Sequence, residues 1–205
     1  MENGAVTLTT RSEQLDGKGK VEAVTEKVER VTSEGGSQNR ELVRFVRDGR
    51  DVTAAEKERA AEREAERKAG KEKGSVKERG FSTSVKNPFA RTEQPRYRFW
   101  IIAPAGSGGE SLFRIGFAPK EKASPDLNSG EAVVEEATAV LRRLSYRPSR
   151  FPEHVKQMDV RVEYGAVTPA GLAISTVTMN AEAGMLFIKK RVRTSTVFSD
   201  YRLGN

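Results

Sequence analysis

Apolar and charged side chains alternate most strictly between Val155 and Tyr201. Met158, Val160, Val162 and Tyr164 are apolar, and Asp159, Arg161 and Glu163 between them are charged. A period of two predicts a strand with one face buried and one in water. Val167-Thr-Pro-Ala-Gly171 supplies a turn, and a second run rich in Thr, Val and Ile follows from Leu172 to Ala183. Gly184 punctuates it. A third run, Met185 to Tyr201, sets Leu186, Ile188, Val192, Thr194, Thr196 and Phe198 on one face, with Lys190 at the same parity. Three long neighbouring strands joined by short turns predict an antiparallel meander.

The upstream chain completes this sheet. Ala5 to Gln14 alternates with Val6, Leu8 and Thr10 on one face, and Leu15-Asp-Gly-Lys-Gly19 reads as a hairpin turn. Val21, Val24, Val28 and Val31 have helical spacing, but β-branching and the turn before them favour a strand over Lys20–Thr32. Glu41 to Arg47 reads as a short strand ended by Asp48-Gly49. Thr53-Ala-Ala-Glu56 has capping-box spacing, and Glu56 to Lys73 is built from Ala, Glu, Lys and Arg, all helix formers. Its only apolar residues are alanines, so the predicted helix has no face to bury and stands in solvent. Gly70 to Glu93 reads as loop. Tyr97 to Ala103 is a strand with aromatics at both parities, Pro104 to Gly109 turns the chain, and Ser111 to Ala118 returns with Phe113, Ile115 and Phe117 on one face. Pro119 to Ser129 reads as loop. Gly130 to Arg147 supports two readings. Ala137, Val140, Leu141 and Leu144 have helical spacing, slightly favoured locally; Val133-Val134, Glu135-Glu-Ala-Thr138 and Val140–Tyr146 form a strand, turn and strand instead.

Composition narrows the chemistry more than it identifies it. The charge of +7 allows anionic partners, but 36 basic residues are interleaved with 29 acidic ones along the 205-residue chain, which is not the clustered pattern of a nucleic-acid binder. With no cysteine, disulfides and thiolate chemistry are excluded. Gly106-Ser-Gly-Gly109 follows a strand without the Gly-Lys-Ser/Thr of a phosphate-cradling loop, and reads as a turn. His154 is the single histidine, too few for a His-based metal site, and no serine has a nucleophile-elbow context. Asp159, Arg161 and Glu163 read as a solvated strand face with cross-strand charge pairs. Tyr97-Arg-Phe-Trp100 could stack bases, but the same pattern describes a strand over a core, and core is the better reading. No catalytic residue, metal or cofactor is expected. No apolar run approaches the length of a membrane span. Met1-Glu-Asn-Gly4 has neither the basic start nor the apolar core of a signal peptide.

Several phrases follow in order along the chain: Leu15-Asp-Gly-Lys-Gly-Lys-Val21, Leu42-Val with Asp48-Gly-Arg before the charged helix, Asn87-Pro-Phe89, Tyr97-Arg-Phe99, Phe117-Ala-Pro-Lys120, Gly130-Glu-Ala-Val-Val134 with Leu141-Arg-Arg-Leu144, and Thr196-Val-Phe-Ser-Asp-Tyr-Arg202. In that order they resemble uncharacterised bacterial envelope proteins of the LolA/LolB/RseB outer-membrane lipoprotein-sorting superfamily. The resemblance implies a mainly β fold: a curved antiparallel unclosed half-barrel forming one domain over 1–205, with a helical and loop insertion at 53–93. It makes Gly130–Val134 and Ala139–Arg147 a strand pair. The superfamily's amphipathic N-terminal helix has no counterpart here, and an export signal is expected upstream of Met1. The resemblance also implies a periplasmic or outer-membrane-associated, non-enzymatic protein whose partner is a lipid or acylated protein, with no nucleic acid. Alternation then places Phe99, Ile101, Phe113, Ile115, Phe117, Val160, Val162 and Tyr164 on the concave face as the candidate lipid-binding surface. The same residues can form a filled core instead. The chain is then a structural or protein-interaction module that uses its helix or a sheet edge.

Overall fold

The alternating runs pair antiparallel with one another, and together they form one sheet. The computed structural model describes residues 4–68, 87–104, 111–124, 126–151, 155–185 and 188–203. The strands are β1 (Gly4–Leu15), β2 (Val21–Glu34), β3 (Ser37–Arg47), β4 (Arg50–Asp51), β5 (Tyr97–Pro104), β6 (Leu112–Pro119), β7 (Asn128–Glu135), β8 (Leu141–Pro148), β9 (Val155–Thr168), β10 (Gly171–Met185) and β11 (Ile188–Leu203). The helix α1 (Thr53–Lys68) lies between β4 and β5. The 11 strands are ordered β4-β3-β2-β1-β11-β10-β9-β8-β7-β6-β5. Neither end strand closes onto the other, so the sheet is an unclosed half-barrel. The seam is the pairing of the first strand with the last, with Thr10 opposite Thr196 and Ser12 opposite Thr194.

Gly130–Arg147 is a hairpin, the strand pair that the resemblance implies rather than the helix that local spacing slightly favours. Ala132 pairs with Leu144, and both are fully buried. A helix would turn part of that apolar surface away from the core. The residues that look like a helix surface build the turn instead. The Thr138 hydroxyl and the Arg142 guanidinium donate to the Glu135 carboxylate at 2.7 and 3.1 Å. These two contacts, the hydroxyl first, hold that carboxyl below its ordinary value. The valines of Lys20–Thr32 lie in β2, which pairs along its length with β1 and from Thr25 onward with β3, while the Val24 amide donates to the Asp48 carboxylate at 2.8 Å.

The helix begins at Thr53, and its cap differs from the capping-box reading. The Asp51 carboxylate accepts from the Thr53 amide at 2.9 Å and hydroxyl at 2.6 Å. The Thr53 hydroxyl in turn accepts the Phe45 amide at 2.8 Å and so ties the helix start to β3. Glu56 lies 3.6 and 3.8 Å from the Arg59 and Arg47 guanidiniums and returns no bond to Thr53. From Lys57 to Glu66 the helix is exposed, as its composition predicts. The hairpin turn expected after Leu15 joins β1 to β2, with the Asp16 amide donating to the Lys20 carbonyl at 2.9 Å. Asp48 and Gly49 both take positive φ, 49° and 79°, as a two-residue hairpin between β3 and β4 requires. At Asp16-Gly17 the aspartate instead accepts the Lys18 and Lys20 amides, both at 2.8 Å. The Gly106–Gly109 turn, Leu186, His154 and the expected helix end after 68 lie outside the described residues.

Candidate ligand-binding faces

The register sorts side chains into transverse rows that cross the sheet. One row runs Ile101, Ile115, Ala132, Leu144, Val162, Val177, Thr196, Thr10 and Lys27. The next runs Phe99, Phe117, Gly130, Tyr146, Val160, Met179, Thr194, Ser12 and Thr25. Both begin apolar at β5 and become hydroxyl-bearing at β11. Phe113, opposite Val134, and Tyr164, opposite Ile174, continue the apolar face beyond these rows. All eight residues picked out by alternation therefore share one face.

Their environments differ. Phe117, Val160 and Val162 are buried in a core with Tyr97, Leu144 and Met158. Phe113, Ile115 and Tyr164 are half-buried. Phe99 is 37% exposed and Ile101 70%. The cover comes from loops that alternation does not reveal. Phe89 stacks on Phe99 and Phe117 at 5.2 and 5.8 Å between ring centres. Leu127, a lone apolar residue in a polar loop, is fully buried in the same cluster, and Phe151 packs against it. The Tyr97 hydroxyl accepts the Asn128 amide at 3.3 Å and anchors the loop behind Leu127. Burial raises the Tyr146 and Tyr164 phenols above their ordinary value, so both stay uncharged in this part of the face.

The opposite face carries a row of Trp100, Gly116, Glu131, Ser145, Arg161 and Thr178. Trp100 is 46% exposed there, although its neighbours on β5 suggested core. It lies flat over Gly116, where an added methyl would sit 2.3 Å from the indole. A groove of about 790 Å³ opens along this row, lined also by Ile102, Arg147, Asp159 and Asn180. Of the eight expected residues only Phe117 and Val160 reach it. Arg143 and Glu163, further along this face, form the expected cross-strand pair at 2.9 Å. Among the described residues no group of three or more His, Cys, Asp or Glu side chains could hold a metal ion.

No family model matches the chain, and no curated protein does. Solved structures similar to it include a LolA superfamily protein from Nitrosomonas europaea, 7% identical, with a TM-score of 0.43 over 100% of this chain and 87% of that one. A DUF1329 family protein from Desulfovibrio piger is 12% identical, with a TM-score of 0.36 over 98% of this chain and 86% of its own. MucB in complex with MucA(peri) is 8% identical, with a TM-score of 0.24 over 96% and 89%. The superfamily implied by the ordered phrases is thus among those whose solved structures are similar to the chain.

Proposed function

We propose that this chain is a non-enzymatic bacterial envelope protein that holds an acyl chain, from a lipid or a lipidated protein, on its apolar face. The observation behind this reading is the contrast within one row. Leu144 and Val162 are sealed, whereas Ile101, on the same face, is 70% exposed. The ligand would extend the core toward β5 over Phe99, Ile101, Ile115, Phe113 and Tyr164, with Phe117, Val160 and Val162 as its floor. Each buried methylene contributes about 0.8 kcal/mol. Six to eight of them supply roughly 5–6 kcal/mol before ordering costs, which suits reversible carriage. The chain is read as one domain over 1–205, with 53–93 as an insertion, working in the periplasm or at the outer membrane without a cofactor.

A second reading has its own support. Phe117, Val160 and Val162 are already filled by Phe89, Leu127 and their neighbours, as in a structural or protein-interaction module. Native mass spectrometry of protein purified from a bacterial envelope separates the two. Co-purified lipid, displaced by an added acylated peptide, is expected. Clean apo protein that also ignores the acylated peptide would sink the carrier reading and leave the interaction module.

A further inference from the structure

We propose that the groove on the opposite face is a separate site for a short anionic oligosaccharide. Trp100 provides the platform. Its indole is pressed flat on the Gly116 backbone, leaving one ring face half-open to the groove. Sugar rings present C–H bonds of partial positive charge, which match the negative face of an indole. A groove of about 790 Å³ has room for two or three rings.

The polar lining selects for charge. Glu131 is neutralised by Arg114 at 2.5 Å, and Asp159 accepts the Gln157 amide at 2.7 Å. Arg147 and Arg161 have no ion pair or side-chain hydrogen bond among the described residues, nor do Thr178 and Asn180. Arg161 and Thr178 lie in the Trp100 row itself, with Asn180 two residues further along β10. Two unpaired guanidiniums suit a carboxylate on a sugar ring, where a charge-assisted, two-pronged contact forms. The hydroxyl and amide suit the ring's own hydroxyls. A long polyanion fits poorly, because Glu131 and Asp159 lie in the same groove.

Trp100 is the single tryptophan of the chain, so intrinsic fluorescence reports this site alone. The probes are trigalacturonate, neutral maltotriose and dodecyl phosphate, with unbound protein as reference. Trigalacturonate is expected to change the emission saturably, and maltotriose to bind about tenfold more weakly or not at all. Arg161→Ala should weaken trigalacturonate about five- to tenfold. Gly116→Ala should lift the indole and weaken it as well, with circular dichroism reporting that both variants are folded. Three results would overturn the proposal: no response to trigalacturonate up to about 10 mM, equal response to both sugars with no effect of Arg161→Ala, or a response to dodecyl phosphate alone. Loss of acyl-chain binding on the apolar face would leave this result untouched, so the two sites fail independently.

Discussion

The two halves of the sheet share one alternation but differ in what it builds. In β5 to β9 the inward rows carry Phe117, Leu144, Tyr146, Val160 and Val162, and the side chains merge into one cluster. In β1, β2 and β11 the same rows carry Thr10, Ser12, Thr25, Thr194 and Thr196, with Lys27 beside Thr10. There Thr10 meets Thr196 at 3.0 Å and Ser12 meets Thr194 at 3.1 Å, hydroxyl to hydroxyl. Val6, Leu15 and Val31 are buried but stand apart from the cluster. Alternation orients a strand, whereas side-chain volume and a covering loop decide whether the inward face becomes a core. Stability should therefore be concentrated in the β5–β9 half, and the hydroxyl half should tolerate change.

Phe117→Ala tests this contrast hardest. It removes a fully buried ring held between Phe89 and Tyr97, and is expected to cost about 3–5 kcal/mol in urea unfolding. Leu144→Ala in the same cluster should cost about 2–4 kcal/mol. Val31→Ala in the other half removes less and should cost roughly 1–2 kcal/mol. If Val31→Ala matched Phe117→Ala, the two halves would be equal partners and the contrast would be lost. Replacing both members of the seam pair, Thr10→Val with Thr196→Val, should move stability by no more than about 1 kcal/mol, because neither hydroxyl is left unpaired.

The smallest effect concerns the attachment of α1. The Thr53 hydroxyl, then its amide, then Arg44 hold the Asp51 carboxyl below its ordinary value. A depressed carboxyl contributes stability that is complete above the ordinary value, about 3.9, and is lost as pH falls through the lower folded value. The Thr53 amide proton, read by NMR, should stay constant from neutral pH to about 4 and shift below it. Asp51→Asn should remove the titration while keeping the acceptor. A shift that persists in the variant would assign the cap to another group.

Much of the sheet could be read from the chain, and the misses have specific causes. Met158 to Tyr164 alternates without exception, so its face was clear. Val133 to Leu144 has helix-forming residues at helical spacing, and only the cluster that receives Ala132 and Leu144 decides for strands. Tyr97 to Ile102 is apolar or aromatic at both parities except for Arg98, so alternation could not assign Trp100 to a face. The bare backbone of Gly116 beside it is what lets the indole lie down. Parity alone sets all eight candidate binding residues on one face. Which of them would be sealed depended on Phe89 and Leu127, single apolar residues in loops without a period.

The central claim is that the apolar face is sealed at Phe117, Val160 and Val162 and open for an acyl chain at Ile101. A nitroxide-labelled stearate added to methyl-labelled protein tests it directly by NMR. Broadening confined to the Ile101 and Ile115 methyls, with Thr10 and Thr196 untouched, is the predicted result. Uniform broadening over both halves, or none at Ile101 with the stearate in excess, would contradict it.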